Sequence, residues 1–361
     1  MLRETFQRLA FVVVAVACLQ SGFAQTGSPA TAAPTVAAPP LPALPTKPAD
    51  ILNLGHQLNG LGDPTLPPWH ARVSYQILDK TGATKEQGTF EGFWSGPNQY
   101  KRIFTSPSFT QTEYQTAQGR YRKGAQSRPP YPERLLDSVL LHPMTEAPKG
   151  SSFIPVMRQQ KAGATELQCV MIAPDIPGAR SAPLTVYPTY CFSQDHPLLR
   201  LAATGVRQQI LFNNVVLFHQ HFIAEDAVVQ IRGAVTLKMH LESLGTILNP
   251  DPAAFAPPAD AVLAPPSAPS SAMQGHLISQ ARPIYPEAAK RLGISGVVIL
   301  DGIITTEGRV KDLQVATSPD QDLAFAALDA VRQWRYKPYL IDGKPVEVET
   351  DITITFNYVS R

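Results

Sequence analysis

The sequence predicts an α+β protein, with a β-rich middle part and a small C-terminal antiparallel sheet carrying two helices on one face. Three observations lead there. Short runs alternating polar with aromatic or β-branched residues recur through 51–249, separated by turn residues. After residue 271, cap, turn and strand signals agree with one another. The 35 prolines cluster, with seven in 25–50 and seven in 250–270. Proline concentrated in two blocks reads as two tethers. The expected order is a signal peptide (1–24), a Pro/Ala-rich disordered tether (25–50), a β-rich domain of unassigned role (51–249), a Pro/Ala-rich linker (250–270) and a C-terminal domain (271–361).

The first residues have the layout of an export signal. Arg3 and Arg8 precede the apolar run Leu9–Leu19, and Gly22-Phe23-Ala24 ends on a small residue suited to cleavage. A membrane span needs about 20 apolar residues, so a retained anchor is the weaker reading. Cys18 leaves lipidation as a further alternative. Export places the chain in an oxidising compartment. A disulfide is then expected between Cys169 and Cys191, which lie in two strand-like runs. The alternative is a pair of buried free thiols.

The formal net charge of +2 removes the basic field that a nucleic-acid binder needs. A hydrophobic share of 44% is enough to fill cores. Strands are expected at 72–78, 88–94, 100–105, 109–116, 119–122, 166–172, 184–192, 198–203, 206–212, 215–223, 227–232 and 234–241. One helix interrupts them, opened by Pro132 and striped by Leu135, Leu136, Val139 and Leu140. This pattern resembles the half-barrel of periplasmic lipoprotein carriers of the localisation-factor type, and that resemblance implies an acyl lipid held in the middle domain. An ordinary sheet core is the other reading. His219-x-His221 would put two imidazoles on one strand face. No carboxylate is spaced to complete a metal site, so no metal or cofactor is expected. No nucleophile elbow, zinc-protease, P-loop or dinucleotide motif occurs, so the chain is not expected to be an enzyme.

The C-terminal part reads element by element. Pro286 opens a short helix, Glu287–Leu292, closed by Gly293. Strands follow at Val297–Thr305 and Val310–Thr317 around the turn at Glu307-Gly308. Ser318 is expected to cap a longer helix, with Gln321 completing a capping box. Leu323, Ala326, Ala327, Ala330, Val331 and Trp334 form its apolar face, with Trp334 plugging the core. The last strand alternates cleanly. Val346, Val348, Thr350, Ile352, Ile354, Phe356 and Tyr358 face the helices, and Glu347, Glu349 and Asp351 are expected to meet water.

Across about 90 residues these motifs resemble, in order, the C-terminal domain of the TonB family of periplasmic energy transducers. They are Tyr285-Pro286-Glu287-Ala288-Ala289, Gly296-Val297-Val298, Gly308-Arg309-Val310, Ala326-Ala327-Leu328, Trp334-Arg335-Tyr336-Lys337-Pro338, Gly343-Lys344-Pro345-Val346 and Ile354-Thr355-Phe356. The resemblance implies docking of an extended peptide of an outer-membrane transport receptor by strand addition. It points to the last strand, with Val348, Thr350, Ile352, Ile354, Phe356 and Tyr358, and to the leading segment with Arg282, Pro283, Tyr285 and Pro286. The family's membrane helix has no counterpart in the short apolar run at 9–19, and the tethers carry almost no charge. The expected function is therefore a periplasmic TonB-like protein of a Gram-negative-type bacterium, linked to energy-coupled transport. A lipid or lipoprotein carrier, and a structural protein that self-associates as a homodimer, remain alternatives.

Overall fold

The computed structural model describes residues 40–144, 153–163, 165–184, 186–203 and 208–357. The expected export signal, residues 25–39 of the expected tether and Tyr358 lie outside them.

Helix α1 (Pro48–Leu58) opens the fold, with Pro48 at its first turn and Ile51 and Leu52 buried. Mid-helix glycine has a packing reason here: a Cβ on Gly55 would sit 2.6 Å from the Phe192 ring. Twelve strands follow: β1 (Trp69–Leu78), β2 (Thr84–Gly96), β3 (Gln99–Thr105), β4 (Thr110–Thr116), β5 (Gly119–Gly124), β6 (Phe153–Ala162), β7 (Thr165–Pro174), β8 (Thr189–Ser193), β9 (Leu199–Ala203), β10 (Gln208–Phe218), β11 (His221–Ile231) and β12 (Ala234–Thr246). Helix α2 (Tyr131–Leu141) lies between β5 and β6 in the chain.

These strands form one antiparallel sheet in the order β5-β4-β3-β2-β1-β12-β11-β10-β9-β8-β7-β6. The first and last strands pair at its centre, and α2 belongs to the connection between its two ends. Leu136, Val139 and Leu140 of α2 and Ile51 of α1 share a core with Trp69, Val73, Phe90, Phe192 and Ile223 of the sheet. That apolar stripe makes α2 fold where its sequence spacing places it.

The structure corrects several sequence expectations. Helix α1 and strand β6 were not foreseen. The runs 215–223 and 227–232 are not separate strands. β10 continues to Phe218, and β11 begins at His221 and runs to Ile231. His219 and Gln220 make the hairpin turn, both at positive φ. His219 and His221 therefore do not share a strand face. His219 contacts Thr246, while His221 faces Asp63 at 3.2 Å.

Cys169 and Cys191 sit directly opposite each other on β7 and β8, buried and disulfide-bonded.

The Pro/Ala-rich strip 250–270 is laid down rather than free. Asp251 caps a short 3-10 turn, and Phe255 is buried. Strand β13 (Val262–Leu263) pairs with β5, and the Ala264 N–H donates to the Arg120 carbonyl. Extended small and proline residues suit a sheet edge, where a missing N–H is tolerated.

The remaining elements are α3 (Ser270–Gln274), β14 (Leu277–Ser279), α4 (Glu287–Arg291), β15 (Gly296–Ile304), β16 (Val310–Thr317), α5 (Gln321–Val331), β17 (Arg335–Tyr336), β18 (Tyr339–Ile341), β19 (Lys344–Val346) and β20 (Val348–Phe356). The antiparallel sheet β16-β15-β20 carries the second core, with Val298, Leu300, Leu323, Val331, Val348, Ile352 and Phe356 buried together. Trp334 is buried in it, and its indole N–H donates to the Ala281 carbonyl at 2.9 Å. The α5 cap is Asp320, not Ser318: its carboxylate accepts from the Asp322 and Leu323 amides. Gly308 has φ +76°, and a Cβ there would strike the Tyr336 carbonyl oxygen, so only glycine fits this turn.

The disulfide closes a loop of 22 residues. Replacing both cysteines by alanine should lower stability by about 2–4 kcal/mol, read from urea unfolding of the oxidised chain and the variant.

Candidate functional site

Strand β20 is one edge of the small sheet, and β16 is the other. The two edges differ. Asp312 on β16 has φ +52°, and the register with β15 slips between Asp301 and Ile303. Such a bulge twists an edge away from further pairing. β20 pairs with β15 without a slip from Val348 to Phe356, so its outer edge is regular.

The side chains of Val348, Thr350, Ile352, Ile354 and Phe356 are buried beneath the helices. What β20 can offer a partner is backbone. The Glu349 N–H donates to the Pro266 carbonyl, and its carbonyl accepts from the Ala268 N–H, so the backbone of Glu349 points outward. Backbone direction alternates along a strand, so Asp351, Thr353 and Thr355 share that outward edge. Thr353 and Thr355 are exposed, and among the described residues no segment pairs with β20 beyond Glu349 on this side. The sequence placed Asp351 on the water-facing side of this strand but named none of the three as partner-binding.

The leading segment lies partly against the same strand. The Tyr285 ring meets Phe356 edge-on at 5.5 Å, and its hydroxyl donates to the Ile294 carbonyl. Arg282 is exposed, Pro283 and Pro286 are half-buried, and Ile284 is 85% exposed.

The acidic face of β20 departs from expectation. Of the three carboxylates expected in water, Glu347 and Asp351 are half-buried, with Glu347 paired to Lys311, and Glu349 is buried, 2% exposed. Glu349 and Asp351 face a cluster of arginines from the large sheet and α2. Arg122 on β5, itself 1% exposed, grips Glu349 with two nitrogens at 2.5 and 2.8 Å. Arg120 reaches the same carboxylate and the Pro265 carbonyl, each at 2.6 Å. Arg134 on α2 holds Asp301 of β15 at 2.7 and 2.9 Å, and Arg128 holds Asp351 at 2.8 Å. Glu113 of β4 lies 3.5 Å from both Arg120 and Arg122. With Arg102, 3.7 Å from Glu113 and paired to Asp137 at 3.1 Å, five guanidinium groups meet five carboxylates, the balance that lets charges stay out of water.

Asp301 and Asp351 sit opposite each other in the β15–β20 register. Burial, then the hydrogen bond to Asp351, pushes the Asp301 carboxyl up to about 6, against the pull of Arg134. Burial opposes the Asp351 charge as well. The hydrogen bond from Asp301, together with Arg128 and Arg134, outweighs it and holds that carboxyl below its ordinary range.

Residues 281–358 match the family model described as the Gram-negative bacterial TonB protein C-terminal. The chain is 33% identical over 104 residues to the protein TonB of Vibrio cholerae, which covers 25% of this chain and 43% of that protein. The chain thus spans less than half the length of that relative. The solution structure of the TonB C-terminal domain of Pseudomonas aeruginosa aligns at 30% identity over 24% of this chain and 87% of that one, with a TM-score of 0.21. The crystal structure of a LolA superfamily protein from Nitrosomonas europaea covers 58% of this chain and 97% of that one, at 9% identity and a TM-score of 0.34. The C-terminal part of the chain carries a TonB C-terminal domain. Among the described residues no helix is long and apolar enough to cross a membrane.

Arg122→Met alone should cost about 3 kcal/mol or more, because it strips a buried carboxylate of its bidentate partner. Arg122→Met combined with Glu349→Met should recover most of that loss, which a double-mutant cycle on urea midpoints would show. Asp301 gives a prediction of unusual sign. Its folded value of about 6 lies above the ordinary 3.8, so the folded chain takes up a proton that the unfolded chain does not. The stabilisation from Asp301 grows as pH falls from about 6 to about 4, and it is lost as pH rises through about 6. Asp301→Asn should flatten the pH dependence of the urea midpoint in that window.

Proposed function

We propose that this is a periplasmic TonB-like protein, exported by a cleaved signal peptide and linked to energy-coupled transport. Its C-terminal domain docks extended peptides of outer-membrane receptors. The observation that carries the reading is the regular outer edge of β20, with no segment among the described residues paired from Asp351 to Thr355, within a domain that matches the TonB C-terminal family. An extended peptide pairing there would gain main-chain hydrogen bonds from Asp351, Thr353 and Thr355. The leading segment with Arg282, Pro283, Tyr285 and Pro286 sits where it could contact the same peptide. Its exposed Ile284 would add an apolar contact.

The domain boundaries belong to this proposal: residues 51–249 as the β-rich unit, 250–270 as the joint and 271–361 as the docking module. We read the large sheet as a half-barrel closed by α1 and α2. A lipid-carrier role for it has less support. Between α2 and the sheet, the larger space, about 360 Å³, is lined by the charged Arg102, Glu113, Arg120, Arg122 and Arg134, and the apolar gap at Val139, Leu140, Phe212 and Phe222 is about 10 Å³. That is room for one water at most. A homodimer pairing through β20 would use the same edge and would be competed by peptide.

The test is hydrogen exchange of the full chain with the synthetic N-terminal peptide of a TonB-dependent receptor from the same bacterium. Amides of 351–355 should slow on addition of peptide. Thr353→Pro, which removes an outward N–H, should weaken binding about tenfold or more. Unchanged exchange along all of β20 at saturating peptide would defeat the proposal. Slowing with rising protein concentration and no peptide would favour the homodimer instead.

A further inference from the structure

One end of the β20 edge is already occupied by the chain itself. The strip 262–268 is stitched on one side to β5, through Val262, Leu263 and the Ala264 N–H. On the other side it is stitched to β20, where Ser267 bridges Glu349 in parallel fashion. Two backbone hydrogen bonds make that bridge, from Ala268 to Glu349 at 2.9 Å and from Glu349 to Pro266 at 2.8 Å. Arg120 locks the same place from the side. One of its nitrogens binds both the Pro265 carbonyl and the Glu349 carboxylate. Strip, β20 edge and arginine thus converge on one residue, Glu349.

We propose that residues 265–268 are a built-in competitor for the docking edge, an autoinhibitory clasp held shut by Arg120. The proposal rests on β20 being the docking edge. A partner peptide long enough to pair from Glu349 to Thr355 must displace the clasp, whereas one that stops at Asp351 need not. Pro265 and Pro266 suit the part, because neither has an N–H with which to propagate a longer strand. The clasp is therefore short, and it loses little when a longer strand replaces it. Displacement takes the Pro265 carbonyl from Arg120 and leaves the guanidinium on Glu349. Apparent affinity for the long peptide is then reduced by the fraction of chains whose clasp is closed.

The experiment uses the full chain, the receptor peptide of the previous subsection and two variants. Ala268→Pro deletes the N–H that donates to Glu349. Arg120→Leu cuts the side-chain tie and leaves Glu349 held by the two nitrogens of Arg122. Circular dichroism establishes that both are folded. Without peptide, amide exchange in the fragment 348–352 should rise in each variant, while exchange in 296–304 stays as in the parent. The long peptide should bind each variant about fivefold to tenfold more tightly than the parent, as expected for loss of roughly one hydrogen bond from the closed state. A peptide shortened to end opposite Asp351 should bind all three equally. Equal affinity of the long peptide for parent and variants overturns the clasp and leaves the docking proposal standing. Binding to neither parent nor variants, with exchange in 348–352 raised, overturns the docking proposal itself and the clasp's regulatory role with it.

Discussion

The Glu349 carboxylate, almost fully removed from water, is the interaction on which the arrangement of the two sheets depends. A carboxylate in that position is tolerated only if cations and donors replace its hydration. Arg122 supplies a bidentate pair and Arg120 a third contact. Both arginines come from β5, the strand that the Pro/Ala-rich strip also covers. The same residue anchors that strip through its backbone. One side chain and its peptide groups therefore fix the position of β5, of the strip and of β20 together. Asp301 and Asp351 extend the joint toward α2, through Arg134 and Arg128.

Much of the C-terminal sheet was legible in the sequence because its signals are local. Alternation in β20 follows from period 2, and the face it selects is the face that is buried. The cap of α5 was misplaced by two residues, because Ser318, Pro319 and Asp320 each suit a helix start and only geometry chooses between them. The other face of β20 was misread for a different reason. Period 2 separates two faces, but it does not say whether the second meets water or another part of the chain. The arginines that answer that question lie more than 200 residues earlier.

The middle sheet was harder to read wherever the turn chemistry is unusual. The β10–β11 hairpin turns at His219-Gln220, both with positive φ, where Asn-Gly or a related pair is the usual signal. Without that signal, the apolar run Val215–Phe218 could not be divided correctly. Helix α1 was hidden at the border of a proline-rich segment and carries Gly55 in its second half. That glycine weakens the helical signal in sequence, yet Phe192 needs the space. A local penalty that a tertiary contact repays cannot be seen from one strand of letters.

The chemistry of the joint bears on how it works. An apolar contact between the sheets would bury surface that resists re-exposure to water, and it would hold the module shut. Paired charges behave differently. Their attraction is largely cancelled by the cost of desolvating them, so they fix geometry while adding little net strength. On separation both partners regain water, whereas a severed hydrophobic contact regains nothing. The Asp301–Asp351 pair sharpens this, because like charges placed opposite each other in a sheet repel unless a proton or arginine sits between them. A joint made of arginine and carboxylate, lying beside the regular edge of β20, therefore sets where the two sheets meet without adding much to how strongly they are held.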